Sequence, residues 1–515
     1  MVQSQGEAAQ QAQKACMSCY LRKRKCDKTI PSCSTCATHD WVCDYSRQPI
    51  TQQTEQAFRQ QQNNDANKYL PRTHDTRVDL LNIRRSAFQQ LDFPAAFFLD
   101  QNFFQQYRIQ VPRAHLATSL FPFHLLGDHI AINAIVSKFF NTSHKWLPVI
   151  HETKLRSSLK QPLGIRADVA LLLLSMKLLI SSPQESGGNT QTEVYLATKH
   201  CLTDAEIAGV LSTEALTAAL FISFYEVGHA IYPAAFLSIA TCVRHGYALG
   251  LGLKQVPQID RPFNRDELEE RWRIWRAILL FDRFVNLGCP RRPFAALESN
   301  SDIGKPPIAP EEMIASNSSY LSRRDTGCFV LISESTDLLG QVLDCVSWQD
   351  DIRQQHQLEE RIVQLDRTIN SLITAAEVEA KKWNVPINNE LAISYSAMMI
   401  LHESYPWLDQ QSLASIKEEH QNGAMKPILD KIMLMCKNWL SDPPSVVETT
   451  SPLVHHCIYY AIINIRKYSQ IMEDERATEE VKSLTTMLRI FSQRWKAADA
   501  YLQILEAREI GGMWP

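Results

Sequence analysis

Six cysteines, Cys16, Cys19, Cys26, Cys33, Cys36 and Cys43, set the spacing CxxCx6C twice, with six residues between the two copies. Thiolates are zinc ligands, and four of them close one tetrahedral site. Two ions need eight ligand positions, so six thiolates suffice only if two of them bridge both metals. The duplicated spacing therefore points to a binuclear cluster, in preference to a lone four-cysteine site or a redox module. Six thiolates against two divalent ions leave a net charge of about −2 at the site, which needs compensation. Lys14, Arg22, Lys23, Arg24, Lys25 and Lys28 crowd the same segment and supply it. The same cations suit a nucleic-acid backbone.

Such a module is too small to fold by apolar burial alone, and structural zinc contributes on the order of 10–16 kcal/mol of apparent free energy in small finger peptides. Residues 17–25 contain neither Gly nor Pro and are expected to form a short helix with Arg22 to Lys25 in its last turn, where cations suit the helix dipole. Pro31 lies between the halves, where a fixed φ helps the chain turn back. Trp41, two residues before Cys43, is read as an apolar cover for the cluster.

The run Cys16-Met-Ser-Cys19-Tyr-Leu-Arg22-Lys23-Arg24-Lys25-Cys26-Asp27, then Pro31-Ser-Cys33-Ser-Thr-Cys36, then Trp41-Val-Cys43, resembles the fungal binuclear zinc cluster transcription factors, cysteine for cysteine. The resemblance implies two zinc ions, with Cys16 and Cys33 bridging, Cys19 and Cys26 completing one site and Cys36 and Cys43 the other. It also implies that the helix end enters the major groove of double-stranded DNA and reads a short GC-rich, CGG-like triplet. By alignment Lys23 is the principal base contact. Arg22, Arg24, Lys25 and Lys28 are expected at phosphates, which add affinity and salt dependence without sequence information. Tyr20 belongs to the same contact set, although the family usually has a basic residue directly after the second cysteine.

The rest of the chain must fold around other principles. At 515 residues it exceeds one ordinary domain. Its 45% hydrophobic and 21% charged content is that of a globular protein, and 17 glycines fall well below the usual fraction, favouring long helices. A net charge of −3 confines nucleic-acid affinity to a local patch. Residues 1–13 are polar and Gln-rich, unlike a secretory leader, and the most apolar run, 169–180, is too short for a membrane span and contains Lys177. The expectation is a protein of a reducing compartment, in which the seven other cysteines, Cys201, Cys242, Cys289, Cys328, Cys345, Cys436 and Cys457, serve as buried small hydrophobes.

Residues 46–75, rich in Gln and Asn, read as a linker. Leu80, Ile83, Ala87 and Leu91 keep an apolar stripe too short for an ordinary coiled coil, so a docking helix is favoured over a dimerisation helix. Helical periodicity recurs over 132–140, 167–180, 193–210, 213–227, 234–249, 265–287, 358–380, 427–440 and 479–507. No strand alternation with hairpin turns and no Gly-rich phosphate loop appears. The fold class is mostly all-α: a zinc-cluster module at 12–46, a polar linker at 47–95 and a large α-helical regulatory domain at 96–515. That last region also resembles the family's regulatory domain, through Phe139-Phe140 to His144-Lys-Trp146-Leu-Pro148-Val-Ile-His151, Ala248-Leu-Gly-Leu, Glu269-Glu270-Arg271-Trp272-Arg273-Ile-Trp275, Phe281-Asp282-Arg283, Arg291-Arg292-Pro293 and Pro306-Pro307.

Within it, Trp275, Ile278, Leu279 and Asp282 share one helical face, so Asp282 requires a cationic partner, with Arg271, Arg276 and Arg283 nearby in sequence. No second carboxylate, nucleophile or histidine pair stands at useful spacing, and His144 and His151 read as ordinary polar residues. The reading is a nuclear, sequence-specific, DNA-binding regulator of RNA polymerase II transcription, pathway-specific in role, and no enzyme. Partners expected are DNA, the transcription machinery, a homodimer or heterodimer mate and a small-molecule effector. The rivals are a metabolite-sensing helical protein and a zinc-stabilised protein-interaction module without DNA readout.

Overall fold

The computed structural model describes residues 12, 14–16, 19–20, 24–30, 32–39, 43 and 45, and then 121–160, 165–182, 188–252, 265–296, 323–347, 355–383, 389–404, 425–441, 446–448, 450–472 and 476–512. The chain divides into two compact units, Met1–Leu91 and Asp92–Pro515. The linker at 46–75, the stripe from Leu80 to Leu91, Pro31 and Trp41 lie outside the described residues.

In the first unit, Cys19 and Tyr20 are helical and α1 spans Ser34–Thr38. Among its described residues the second unit contains no strand, and its α-helices are α2 (His129–Asn141), α3 (Glu152–Leu159), α4 (Ala167–Ile180), α5 (Glu193–Ile207), α6 (Thr213–Gly228), α7 (Ala234–Ala248), α8 (Arg265–Phe284), α9 (Arg323–Ser347), α10 (Gln355–Trp383), α11 (Asn389–Ser404), α12 (Met425–Trp439), α13 (Val454–Met472), α14 (Arg476–Phe491) and α15 (Lys496–Gly511). No described helix is long and apolar enough to cross a membrane.

Two helices buried on all sides organise the unit. In α6 every residue from Ala215 to Gly228 is buried, and its start is fixed by Ser212, whose hydroxyl accepts from the Ala215 N–H at 3.1 Å. Helices α4, α5, α7, α8 and α15 pack around it. In α11 the residues Asn389 to Leu401 are buried, inside α9, α10, α12 and α13. Helix α8 touches α6, α7 and α9 and so joins the two groups. The joining helix is also where cations enter the core. Asp282 is buried there and accepts from Arg283 Nη1 at 2.7 Å and from the Ala295 and Ala296 N–H groups at 3.0 Å each, which supplies the partner its position requires. Arg276 reaches Ser333 O at 2.6 Å and also pairs with Asp337, tying α8 to α9.

Several expectations need correction. The stretch 479–507 is two helices, because the chain breaks its turn after Phe491 to bury Trp495, whose backbone is extended at φ −115° and ψ 109°. Cys289 is exposed, in the turn after α8, so it is not a small core hydrophobe; of the other six, Cys201, Cys242, Cys345, Cys436 and Cys457 are buried, while nothing is described of the Cys328 side chain. His144 and His151 are buried polar groups, their Nε2 atoms 3.0 Å from Ile150 O and 3.3 Å from Asp266 O.

Candidate metal centre and nucleic-acid interface

The first unit repeats its geometry as it repeats its spacing. Each half opens with a helical turn: Tyr20 donates its N–H to Cys16 O at 3.0 Å, and Ala37, seventeen positions on, donates to Cys33 O at 2.9 Å. The N–H of Cys36 reaches Cys33 Sγ at 3.4 Å, and that of Cys19 bonds Cys16 Sγ in the same way. The N–H of Cys33 reaches Cys43 Sγ at 3.2 Å, and that of Cys16 bonds Cys26. One motif is therefore built twice from local backbone hydrogen bonds, which orient the sulfurs of Cys16, Cys26, Cys33 and Cys43 before any metal chemistry is considered.

The six sulfurs form two quartets. Cys16, Cys19, Cys26 and Cys33 make one, Cys16, Cys33, Cys36 and Cys43 the other, and within each the sulfurs lie within 4.8 Å of one another. The separations Cys16–Cys33 (3.7 Å), Cys16–Cys36 (3.5 Å) and Cys19–Cys33 (3.6 Å) match the edge of a ZnS4 tetrahedron, about 3.8 Å for bonds of about 2.3 Å. An all-sulfur donor set of this size is the choice of zinc among the common divalent ions. Cys16 and Cys33 stand in both quartets.

Electrostatics divides the thiols. Burial pushes Cys33 up to about 12 and Cys16 higher still, and it raises Cys36 as well. Burial also opposes ionisation of Cys26 and Cys43, but it is outweighed by hydrogen bonds from Cys16, Lys28 and Tyr45 at the first and from Cys33 and Tyr45 at the second, leaving both at about 7. Cys26 and Cys43 ionise readily, whereas Cys16, Cys33 and Cys36 are held as thiols until a cation's field favours the thiolate. The Lys28 N–H reaches Cys26 because Lys28 adopts a left-handed backbone, φ 65°.

Of the residues expected at DNA, Tyr20, Arg24 and Lys25 are exposed, Lys28 is half-buried, and Arg22 and Lys23 lie outside the described residues. The helix does not run to Lys25 as its composition suggested. Arg24 and Lys25 are not helical, and the Arg24 N–H closes back on Cys19 O at 2.9 Å, because the chain must bend there to bring Cys26 to the sulfurs. The second half then fixes the bend: Thr35 Oγ1 donates to Lys25 O at 2.9 Å. Asp27 accepts from the Ser34 N–H at 3.1 Å and from the Ser34 hydroxyl, which holds its carboxyl below the usual range and seats it at the start of α1. Sequence reasoning passed over Asp27, Thr35 and Tyr45, and only their nearness to the cysteines could have marked them.

Comparison with known proteins agrees with this geometry. Residues 14–52 match the fungal Zn(2)-Cys(6) binuclear cluster domain, and residues 136–392 match the fungal specific transcription factor domain. Transcription factor BOA15 of Botryotinia fuckeliana (strain B05.10) is 35% identical over 165 residues, which are 32% of this chain and 90% of that protein. The chain belongs to the fungal Zn(2)-Cys(6) transcription factors. No solved structure matches it. As a member of this family of DNA-binding regulators, which is not an enzyme family, the zinc-cluster factor binds two zinc ions through its cysteine module. Its donor set fits them: six sulfurs in two close quartets, with backbone donors already aimed at four of them.

Proposed function

We propose that this zinc-cluster factor acts in the nucleus, with Cys16 and Cys33 bridging two zinc ions, Cys19 and Cys26 completing one site and Cys36 and Cys43 the other. Lys23 reads a GC-rich, CGG-like triplet in the major groove. Arg22, Arg24, Lys25, Lys28 and Tyr20 hold the phosphate backbone and set affinity and register. The working parts are a DNA-binding module at 12–46, a spacer at 47–95 and a helical regulatory domain at 96–515, through which a second copy or another factor, the transcription machinery and a small-molecule effector act. One observation carries the reading: both sulfur quartets contain Cys16 and Cys33, and the cationic residues Arg24 and Lys25 stand exposed beside Cys26.

Selection from a random duplex library by the full chain, with zinc and with a strong chelator, tests it. Enrichment of a GC-rich triplet only with zinc is expected, and one triplet or two reports a monomer or a dimer. Lys23→Ala abolishes the sequence preference, at about 1–3 kcal/mol for the lost base contact. Arg24→Ala weakens all sequences alike and reduces the salt slope by about one. Binding indifferent to chelation, or without preference, overturns the reading.

A further inference from the structure

Cys26 and Cys43 are the third cysteines of the two CxxCx6C copies, and each belongs to one quartet only. One hydroxyl lies between them. Tyr45 Oη is 3.8 Å from Cys26 Sγ, hydrogen-bonds the Cys43 thiol as well, and donates to Thr29 O at 3.1 Å. Tyr45 belongs to the second half and Thr29 to the link between the halves, so this phenol touches both outer sulfurs and the intervening backbone. The Cys33 side chain also reaches both outer thiols, but as a ligand of the cluster itself; Tyr45 reaches them from outside it.

A metal-bound thiolate has no proton and can only accept, so in the loaded cluster a hydrogen bond between Tyr45 and either sulfur must run from the phenol to the sulfur. We infer that Tyr45 is a positioning residue of the cluster: its single hydroxyl proton, accepted by Thr29 O in this structure, turns in the loaded cluster to the terminal thiolate of one zinc site or the other and so couples the two halves. Groups that hydrogen-bond metal ligands fix the ligand's orientation and moderate its charge, and their loss typically costs about 10–100-fold in metal affinity. The two sites carry like charge at their outer sulfurs, and a proton that either sulfur can take lessens that repulsion, where backbone N–H groups serve each sulfur separately. The inference rests on the binuclear reading above, in which Cys26 and Cys43 are terminal ligands.

The test compares Tyr45→Phe and Tyr45→Leu with the native residue in the full chain. Zinc content and affinity are measured by chelator competition, and the sulfur-to-cobalt charge-transfer bands after cobalt substitution. A hydroxyl role predicts that Tyr45→Phe already weakens zinc binding about 10–100-fold, still saturates at two ions and shifts the charge-transfer bands, with Tyr45→Leu little worse. Wild-type affinity and bands in Tyr45→Phe, with loss confined to Tyr45→Leu, assign Tyr45 to ring packing and overturn the inference while the two-ion stoichiometry stands. A native chain that saturates at one ion overturns the binuclear reading and the inference with it.

Discussion

Acid should unfold the helical unit well above the pH at which its carboxylates titrate. His229, His245, His455 and His456 are all buried, and burial lowers them, to about 3 for His229 and His455 and about 4 for His245 and His456. At His229 the nearby Arg494, Lys496 and His455 act in the same direction. With folded values depressed below the unfolded value of about 6.5, the full stability is present above 6.5, and it is lost as pH falls through the window down to about 3–4. Between pH 7.5 and 5.5 the unfolded state gains nearly one proton per histidine and the native state almost none. Each therefore costs about 1.4 kcal/mol over that interval and the four together about 5 kcal/mol, a large share of the roughly 5–15 kcal/mol of an ordinary domain. Asp337, raised by burial beside Arg276, works in the opposite sense but is one group against four. The assay is denaturant unfolding at the two pH values, followed by tryptophan fluorescence, since every tryptophan but Trp41 lies after residue 91. His455→Leu sharpens it: both ring nitrogens are buried without a hydrogen-bond partner among the described residues, so the substitution should cost little at pH 7.5 and remove about 1.4 kcal/mol of the pH effect. A total loss below about 1.4 kcal/mol, one histidine's worth, would refute the reasoning.

Three further outcomes follow from the packing and the cluster. Asp282→Asn leaves Arg283 buried beside a neutral partner and should cost about 3–5 kcal/mol by thermal or denaturant unfolding, with zinc content unchanged; a mutant of native stability removes the ion pair from the account. Gly228→Ala places a methyl 2.5 Å from the Trp495 ring and should destabilise by about 1–3 kcal/mol, measured the same way, with quenching or shift of indole emission. Chelation should abolish DNA binding in a mobility-shift assay while far-UV circular dichroism keeps most of its helical signal, because the metal holds only the first unit.

The cysteine spacing carried the centre almost whole, since ligand number and coordination geometry leave few ways to arrange six sulfurs around two ions. Hydrogen bonds to those sulfurs were invisible, because Tyr45, Asp27 and Thr35 bear no spacing rule; they act through a fold that only the assembled cluster defines. Helix α4 was legible to the residue, its long apolar run bounded by Arg166 and Ser181. Helix α11 was missed for a related reason: buried on every side, it mixes Ser394, Ser396 and Tyr395 among its hydrophobes and shows no polar face from which a period could be read. Helices α9 and α13 carry Gly, Ser, Thr and paired histidines that propensity disfavours and tertiary packing overrides. Cys289 illustrates the converse error, since a small apolar side chain says nothing about burial when its neighbours are Pro290, Arg291 and Arg292.

The aromatic contact between α15 and the α6 region sets a timetable for synthesis. Trp146 stacks on Phe224 at 4.6 Å, and Trp495 closes on both rings at 6.2 and 6.0 Å. About 350 residues separate the first of these from the last. At translation rates of about 5–20 residues per second, Trp146 and Phe224 wait on the order of 20–70 s before the ring that covers them leaves the ribosome. During that interval the nascent chain lacks the indole that packs against both rings, so this aromatic cluster closes only after synthesis has passed residue 495.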